Sequence, residues 1–288
     1  MAPASPDAAR TAGQALPLRP FLKWVGGKTR LLPKILPHVP KHFANYHEPF
    51  LGGGAMFFAV RDRIGGTAHL HDLNDQLTNV WQRVQLDPAG LLDALAHYKK
   101  NDSKEFYYEQ RPATPTTLVE QAARFIYLNQ TCWNGLWRVN KFGQFNVPWG
   151  DRPFRGIDED TLHRLSDTLI GATITNDDFR VALDKPLAGD FVYLDPPYLP
   201  ISDTSKFHLY TEKRFRAPDL GELAALCHSL TERGVHWMMS NRDTDQVRQM
   251  FPDNELVRFT ARRSVAAQNR RDIEKVDSPE ALILGGPA

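Results

Sequence analysis

The chain has 288 residues, a formal net charge of +1, and 42% hydrophobic against 24% charged residues, the profile of a globular protein with one large domain or two modest ones. Near-neutral charge excludes a uniformly basic surface, so contact with nucleic acid would have to come from a local basic face. Two cysteines, Cys132 and Cys227, cannot form a disulfide framework or a zinc site, and the absence of a long apolar run excludes a membrane span. Free thiols in a reducing cytoplasm are therefore expected.

Residues 1–18 are rich in Ala and Pro and lack a charged segment feeding an apolar core. They read as a disordered tail, not a signal peptide. Ordered sequence is expected from Arg19. Phe21-Leu22-Lys23-Trp24-Val25-Gly26-Gly27-Lys28 reads as a loop running into a helix, with Lys28 at the helix start. The glycine pair permits close backbone approach, but the pattern is not that of a phosphate-binding P-loop. The plain alternative for Lys28 is a solvated lysine after a glycine turn.

His47-Glu48-Pro49-Phe50-Leu51-Gly52-Gly53-Gly54 reads as a short strand and a glycine turn, and an apolar helix follows. This is the local plan of a nucleotide-binding α/β domain, without the full G-x-G-x-x-G fingerprint. A second strand, Ala68 to His71, ends at Asp72, which lies 20 residues after Gly52. An acid at that distance is placed to accept hydrogen bonds from two ribose hydroxyls. His69 and His71 alternate on the strand, and packing or surface roles are expected for them.

From 76 to 160 the texture changes. Helices are expected over Leu91–Tyr98 and Leu118–Leu128. Between Asn129 and Gly150, aromatics, amides and cations interleave with turn glycines, among them Trp133, Asn134, Leu136, Trp137 and Arg138. A core has no need of so many amides, whereas a surface meeting bases can use all of these groups. The alternative is a hairpin excursion capped by aromatics.

Alternation of strands and helices resumes after 160. Thr173–Thr175 reads as a strand. Phe191–Leu194 reads as a buried strand ending in Asp195-Pro196-Pro197-Tyr198. The prolines offer no N–H and stiffen the turn, which places an acid, rigid carbonyls and an aromatic ring at one sheet edge. Such a corner suits a planar ring bearing an amino group. A helix over Leu220–Arg233, a strand over Val235–Ser240 and a helix over Asn241–Phe251 are expected next. The chain closes on an antiparallel hairpin, Glu255–Ser264 with Ala281–Leu284, around a polar loop. Arg262, Arg263, Arg270 and Arg271 lie on this hairpin, either as a solvated face or as a grip on phosphates. The fold class expected is α/β: a mostly parallel Rossmann-like sheet closing in an antiparallel hairpin, with residues 19–75 and 161–288 forming the catalytic domain. Residues 76–160 form a smaller, mainly helical insertion.

Taken in order, Phe-Leu-Lys-Trp-Val-Gly-Gly-Lys, Glu-Pro-Phe-Leu-Gly-Gly-Gly, Asp-Leu-Asn, Asn-Gly-Leu-Trp-Arg-Val-Asn to Phe-Asn-Val-Pro-Trp-Gly, and Asp-Pro-Pro-Tyr resemble the Dam-type DNA adenine-N6 methyltransferases. The resemblance covers most of the ordered chain. It implies S-adenosylmethionine as methyl donor, double-stranded DNA as partner, and no metal or membrane; a monomer in solution is expected. It places Trp24, Lys28, Phe50, Gly52, Gly54, Asp72 and Asp195 at the donor site, and Asp195, Pro196 and Tyr198 at the chemistry. It makes 76–160 the target-recognition segment, with Arg138 reading a guanine of a GATC core and Trp133 where the family wedges a Phe or Tyr into the duplex. Asn134 and Leu136 belong to the same DNA-binding turn, and the four hairpin arginines are expected to hold backbone. Two other outcomes stay open from sequence. One is an amino-methyltransferase acting on cytosine N4 or RNA; the other is a catalytically silent DNA-binding module.

Overall fold

The computed structural model describes residues 18–199, 215–265 and 274–287. Residues 1–17 of the expected tail lie outside these. The elements before the Asp195-Pro196-Pro197-Tyr198 corner are α1 (Leu32–Ile35), β1 (Tyr46–Glu48), α2 (Ala55–Val60), β2 (Ala68–His71), α3 (Asp75–Leu86), α4 (Pro88–Asn101), α5 (Lys104–Gln110), α6 (Leu118–Thr131), α7 (Glu159–Thr168), β3 (Thr173–Thr175), α8 (Phe179–Asp184) and β4 (Phe191–Leu194). After it come α9 (Ala217–Glu232), β5 (His236–Arg242), α10 (Asp245–Met250), β6 (Glu255–Val265) and β7 (Glu274–Gly285).

Among the described residues the strands form one sheet in the order β3-β2-β1-β4-β5-β7-β6. The first five positions are parallel, and β7 runs antiparallel to both β5 and β6. The chain builds outward from β1 through β2 to β3, then returns to the other side of β1 with β4. The carboxyl ends of β1 and β4 are therefore neighbours at the point where strand order reverses, where open α/β sheets form their crevice. The glycine turn leaves one of these ends and Asp195 leaves the other.

Alternation along β4 feeds two cores. Phe191 and Tyr193 pack into the layer shared with α3, α6 and α7. Val192 and Leu194 pack with α8, α9 and α10 on the opposite face, as the two-residue period of a strand requires. Helices from the 76–160 segment share the first core with the sheet, so this segment is joined to the sheet by packing.

Several boundaries differ from the sequence expectation for local reasons. Helix α4 begins three residues before Leu91 because the Asp87 side chain accepts from the Gly90 N–H and Pro88 fills the first turn. Strand β5 continues to Arg242, paired with Glu280 of β7. Helix α10 therefore starts only at Asp245, where Thr244 caps it. Lys28 precedes the first helix rather than starting it; the chain turns from Lys28 into Leu31 and Leu32. The closing hairpin is longer than expected, with β6 and β7 in register from Glu255↔Leu284 to Val265↔Glu274.

Two buried histidines on the sheet are expected to give this fold a pH response. His47 Nε2 lies 3.0 Å from Asp190 Oδ2, and His71 Nδ1 lies 2.6 Å from Thr175 Oγ1. Burial lowers both to a pKa of about 4. In the unfolded chain each takes a proton near its ordinary value of about 6.5. Stability is thus fully present above that value and falls as pH drops through the window toward 4, because the unfolded state binds more protons there. Each histidine is expected to withdraw at most roughly 3 kcal/mol over this window. Urea midpoints measured across it check this; His71→Gln is expected to make the fall shallower, and an unchanged slope would remove His71 from the account.

Candidate active site

Strand β4 delivers Asp195 to the crevice, and Pro196 and Pro197 limit how the chain leaves. Lys28 reaches Asp195 from the glycine loop near the start of the described chain. Its Nζ lies 2.5 Å from Oδ1 and 2.6 Å from Oδ2, and donates to the Gly26 carbonyl at 2.9 Å. Lys28 is only 4% exposed and Asp195 22%. The sequence alternative of a solvated lysine is therefore replaced by a buried ion pair, charge-assisted on both oxygens. The Lys28 ammonium also sits 5.4 Å from the centre of the Tyr198 ring. The Tyr198 hydroxyl donates to Glu280 Oε2 at 2.7 Å.

The glycine turn is shaped by two tryptophans. Gly52 and Gly54 have φ of +50° and +70°, a region that favours glycine. A Cβ on Gly52 would meet the Trp24 ring at 2.7 Å, and one on Gly54 would meet the Trp81 ring at 2.6 Å. Trp81, fully buried on α3, donates from its indole to the Gly52 carbonyl at 3.1 Å. Trp24 also stacks on Phe125 of α6, with centroids 6.1 Å apart. Phe50 packs against Phe179 at 5.7 Å and Phe215 at 6.0 Å.

Asp72, at the end of β2, accepts the Gly52 N–H at 3.0 Å on one oxygen and the Asn74 N–H at 2.9 Å on the other. Burial raises its pKa, with these two N–H groups pulling the other way. Each oxygen keeps a lone pair for a hydroxyl. Glu48, at the end of β1, is fully enclosed and accepts the Tyr46 hydroxyl at 2.9 Å. Burial, reinforced by nearby Asp195 and Asp72, holds its carboxyl well above the usual carboxylate range. Three acids thus converge, and burial weakens the acidity of Glu48. The residues fit a donor that carries diol, ammonium and sulfonium groups: a paired-oxygen acceptor at Asp72, a glycine turn that brings backbone close, and an acidic surround for positive charge.

The structure brings together Trp24, Lys28, Gly52, Gly54, Asp72, Asp195 and Tyr198. The turn expected to meet DNA lies beyond α6. Asn134 adopts φ of +56° inside a short turn over Trp133–Gly135. Trp133 is 51% exposed, whereas Trp137 packs on Phe125 at 3.7 Å and on Phe145 at 4.6 Å. Leu136 is partly buried against the core. Arg138 donates from Nε to Asn146 Oδ1 at 2.8 Å, which anchors its stem inside the bridge between Val139 and Phe145. One tryptophan, Trp137, closes the excursion against the core, and the other, Trp133, faces out.

Asn129, fully buried on α6, accepts the Lys23 N–H at 2.9 Å and donates to the Lys23 carbonyl at 2.8 Å and the Gly135 carbonyl at 3.5 Å. It ties the Trp133–Gly135 turn to the segment carrying Trp24. Of the expected hairpin arginines, Arg262 and Arg263 lie on β6, in backbone register with Asp277 and Val276. Arg270 and Arg271 lie outside the described residues. Among the described residues no group of His, Cys, Asp and Glu is arranged to hold a metal ion, and no helix is long and apolar enough to cross a membrane.

Sequence reasoning did not single out Trp81, Asn129 or Glu280. Trp81 carried a signal, since Leu77, Val80, Trp81 and Val84 keep helical spacing. Glu280 carried a weaker one, an acid directly before the apolar run Ala281-Leu282-Ile283.

A family model described as D12 class N6 adenine-specific DNA methyltransferase matches residues 24–265. A Type II methyltransferase, M1.LlaDCHI, of Lactococcus lactis subsp. cremoris is 34% identical, covering 88% of this chain and 91% of its own length. A Type II methyltransferase, M.MjaIII, of Methanocaldococcus jannaschii is 34% identical, covering 93% and 99%. The DNA adenine methylase of Escherichia coli strain K12 is 30% identical, covering 93% and 96%.

Proposed function

The chain belongs to the D12 class of N6 adenine-specific DNA methyltransferases, and from that premise we propose that it takes S-adenosylmethionine as donor and methylates an adenine drawn out of a GATC core. The observation carrying this reading is the position of Asp195, beside the glycine turn at the reversal of strand order.

The residues divide the work as follows. Trp24, Phe50, Gly52, Gly54 and Asp72 hold the donor, with Asp72 on the ribose hydroxyls. Bound there, S-adenosylmethionine supplies an electrophilic methyl group on a sulfonium. The target base leaves the helix at a cost of a few kcal/mol, and stacking on Tyr198 returns about 1–3 kcal/mol. The adenine amino lone pair is conjugated with the ring and is a poor nucleophile. Asp195 and the Pro196 carbonyl accept its two hydrogens, turn it out of conjugation and stabilise the positive charge that grows on nitrogen. Holding both reactants in line supplies much of the remainder.

Residues 76–160 serve as the recognition segment, with Trp133 as wedge, Asn134 and Leu136 shaping the turn, and Arg138 on a guanine edge. Arg262, Arg263, Arg270 and Arg271 contact the DNA backbone. Arg138→Ala is expected to cost about 1–3 kcal/mol of discrimination at one base pair, the size of a good bidentate contact. Turnover on a set of singly substituted sites checks this, and unchanged discrimination would take Arg138 out of base reading. The whole reading is tested by nucleoside mass spectrometry and methylation mapping of DNA from cells expressing the chain. N4-methylcytosine, or N6-methyladenine outside GATC, would overturn the corresponding part.

A further inference from the structure

Strands β5 and β7 hold the end of the catalytic corner at two adjacent points. Arg242 and Glu280 are partners in their register. Arg242 donates from Nη1 to the Leu199 carbonyl at 3.0 Å, and its guanidinium lies 5.9 Å from the Tyr198 ring centre. Glu280 Oε2 accepts the Tyr198 hydroxyl at 2.7 Å. Glu280 is 1% exposed and is followed by the buried residues Ala281, Leu282 and Ile283. A carboxyl enclosed in an apolar strand is costly unless polar groups meet it. Here one of the groups that meets it is the hydroxyl of the ring proposed to carry the base.

A phenol ring free to turn about its two side-chain torsions presents its face in many directions. A short bond from its hydroxyl to a group fixed in a strand paired on both sides removes most of that freedom. We propose that Glu280 is a positioning residue that sets the plane of the Tyr198 ring, so that the extruded adenine finds a pre-aligned platform with its amino group directed at Asp195. This rests on the stacking role proposed for Tyr198. The hydrogen bond acts before the base arrives, so its loss shows in capture of the base more than in donor binding.

The test uses the full chain and a duplex with 2-aminopurine at the target adenine, reading the extrahelical population by fluorescence lifetime. Glu280→Leu and Tyr198→Phe are each expected to lower that population by roughly tenfold at most, the order of the side-chain freedom that the bond removes before binding. Glu280→Gln, whose amide oxygen still accepts, is expected to stay within about threefold of the parent. In a Tyr198→Phe background, Glu280→Leu is expected to add nothing further, because the shared bond is already gone. An equal additional loss there, a parent-like Tyr198→Phe, or a Glu280→Gln as poor as Glu280→Leu would overturn the assignment. Tyr198→Ala separates the two ideas. If it leaves the population unchanged, the stacking role itself is wrong; if it lowers the population while Glu280→Leu does not, only the positioning role is wrong.

Discussion

Asp195→Ala is expected to lower the rate of methyl transfer by at least about 10³-fold, since removing one preorganised electrostatic contact alone costs on the order of 10²–10³ and this variant also loses the acceptor that frees the lone pair. The ion pair to Lys28 complicates the reading, because the same change strips the 4%-exposed ammonium of its carboxylate partner. Breaking a buried pair from one side is strongly destabilising. With Asp195 partly open to solvent, we expect a loss on the order of 2 kcal/mol. Lys28→Met in the same chain is expected to recover most of that stability without recovering turnover. Single-turnover rates beside urea midpoints for the single and double variants check both halves. Turnover near the parent level in Asp195→Ala would end the proposed role of this acid, and a double variant no more stable than the single would remove the ion pair from the explanation.

Gly54→Val is expected to produce the second large effect, on donor binding. Gly54 sits at φ of +70°, and a Cβ there would lie 2.6 Å from the Trp81 ring. The backbone conformation alone costs a side-chain-bearing residue about 1–2 kcal/mol, and overpacking against a buried indole adds about 1–3 kcal/mol. The turn can avoid the clash only by moving away from Trp81, which also loads the bond from that indole to the Gly52 carbonyl. Donor affinity measured by calorimetry is expected to fall roughly ten- to a hundredfold, corresponding to about 1.4–2.8 kcal/mol. Smaller losses are expected for Gly54→Ala combined with Trp81→Phe, which eases the collision but not the backbone. Parent-like affinity in Gly54→Val would mean that this turn does not line the donor site.

What could be read from the sequence follows from the range of each signal. The β4 strand, the glycine turn and Asp72 are marked by punctuation within a few residues: an apolar run cut by proline, a glycine triplet before an apolar helix, an acid closing a strand. Helices α5 and α8 have seven and six residues, too few for a clear period. Helix α3 did carry the period, but its polar first turn hid it within a segment of mixed texture. Charged residues masked the alternation of the closing hairpin, so its strands ran on past the expected ends. Pairings across the chain had no local signal. Lys28 and Asp195 are 167 residues apart, and Tyr198 and Glu280 are 82 apart. Only the return of β4 beside β1, and of β7 between β5 and β6, brings them together.

The Lys28–Asp195 contact has a bearing on how a base would reach the acid. A carboxylate standing ready for an amine would ordinarily be wrapped in solvent and would have to shed that shell as the base came in. Here a lysine ammonium already contacts both of its oxygens, with an aromatic face 5.4 Å away. On the proposed reading, the purine comes to an acid already held on one side by a buried cation, and part of the dehydration of the acid was settled when the chain folded.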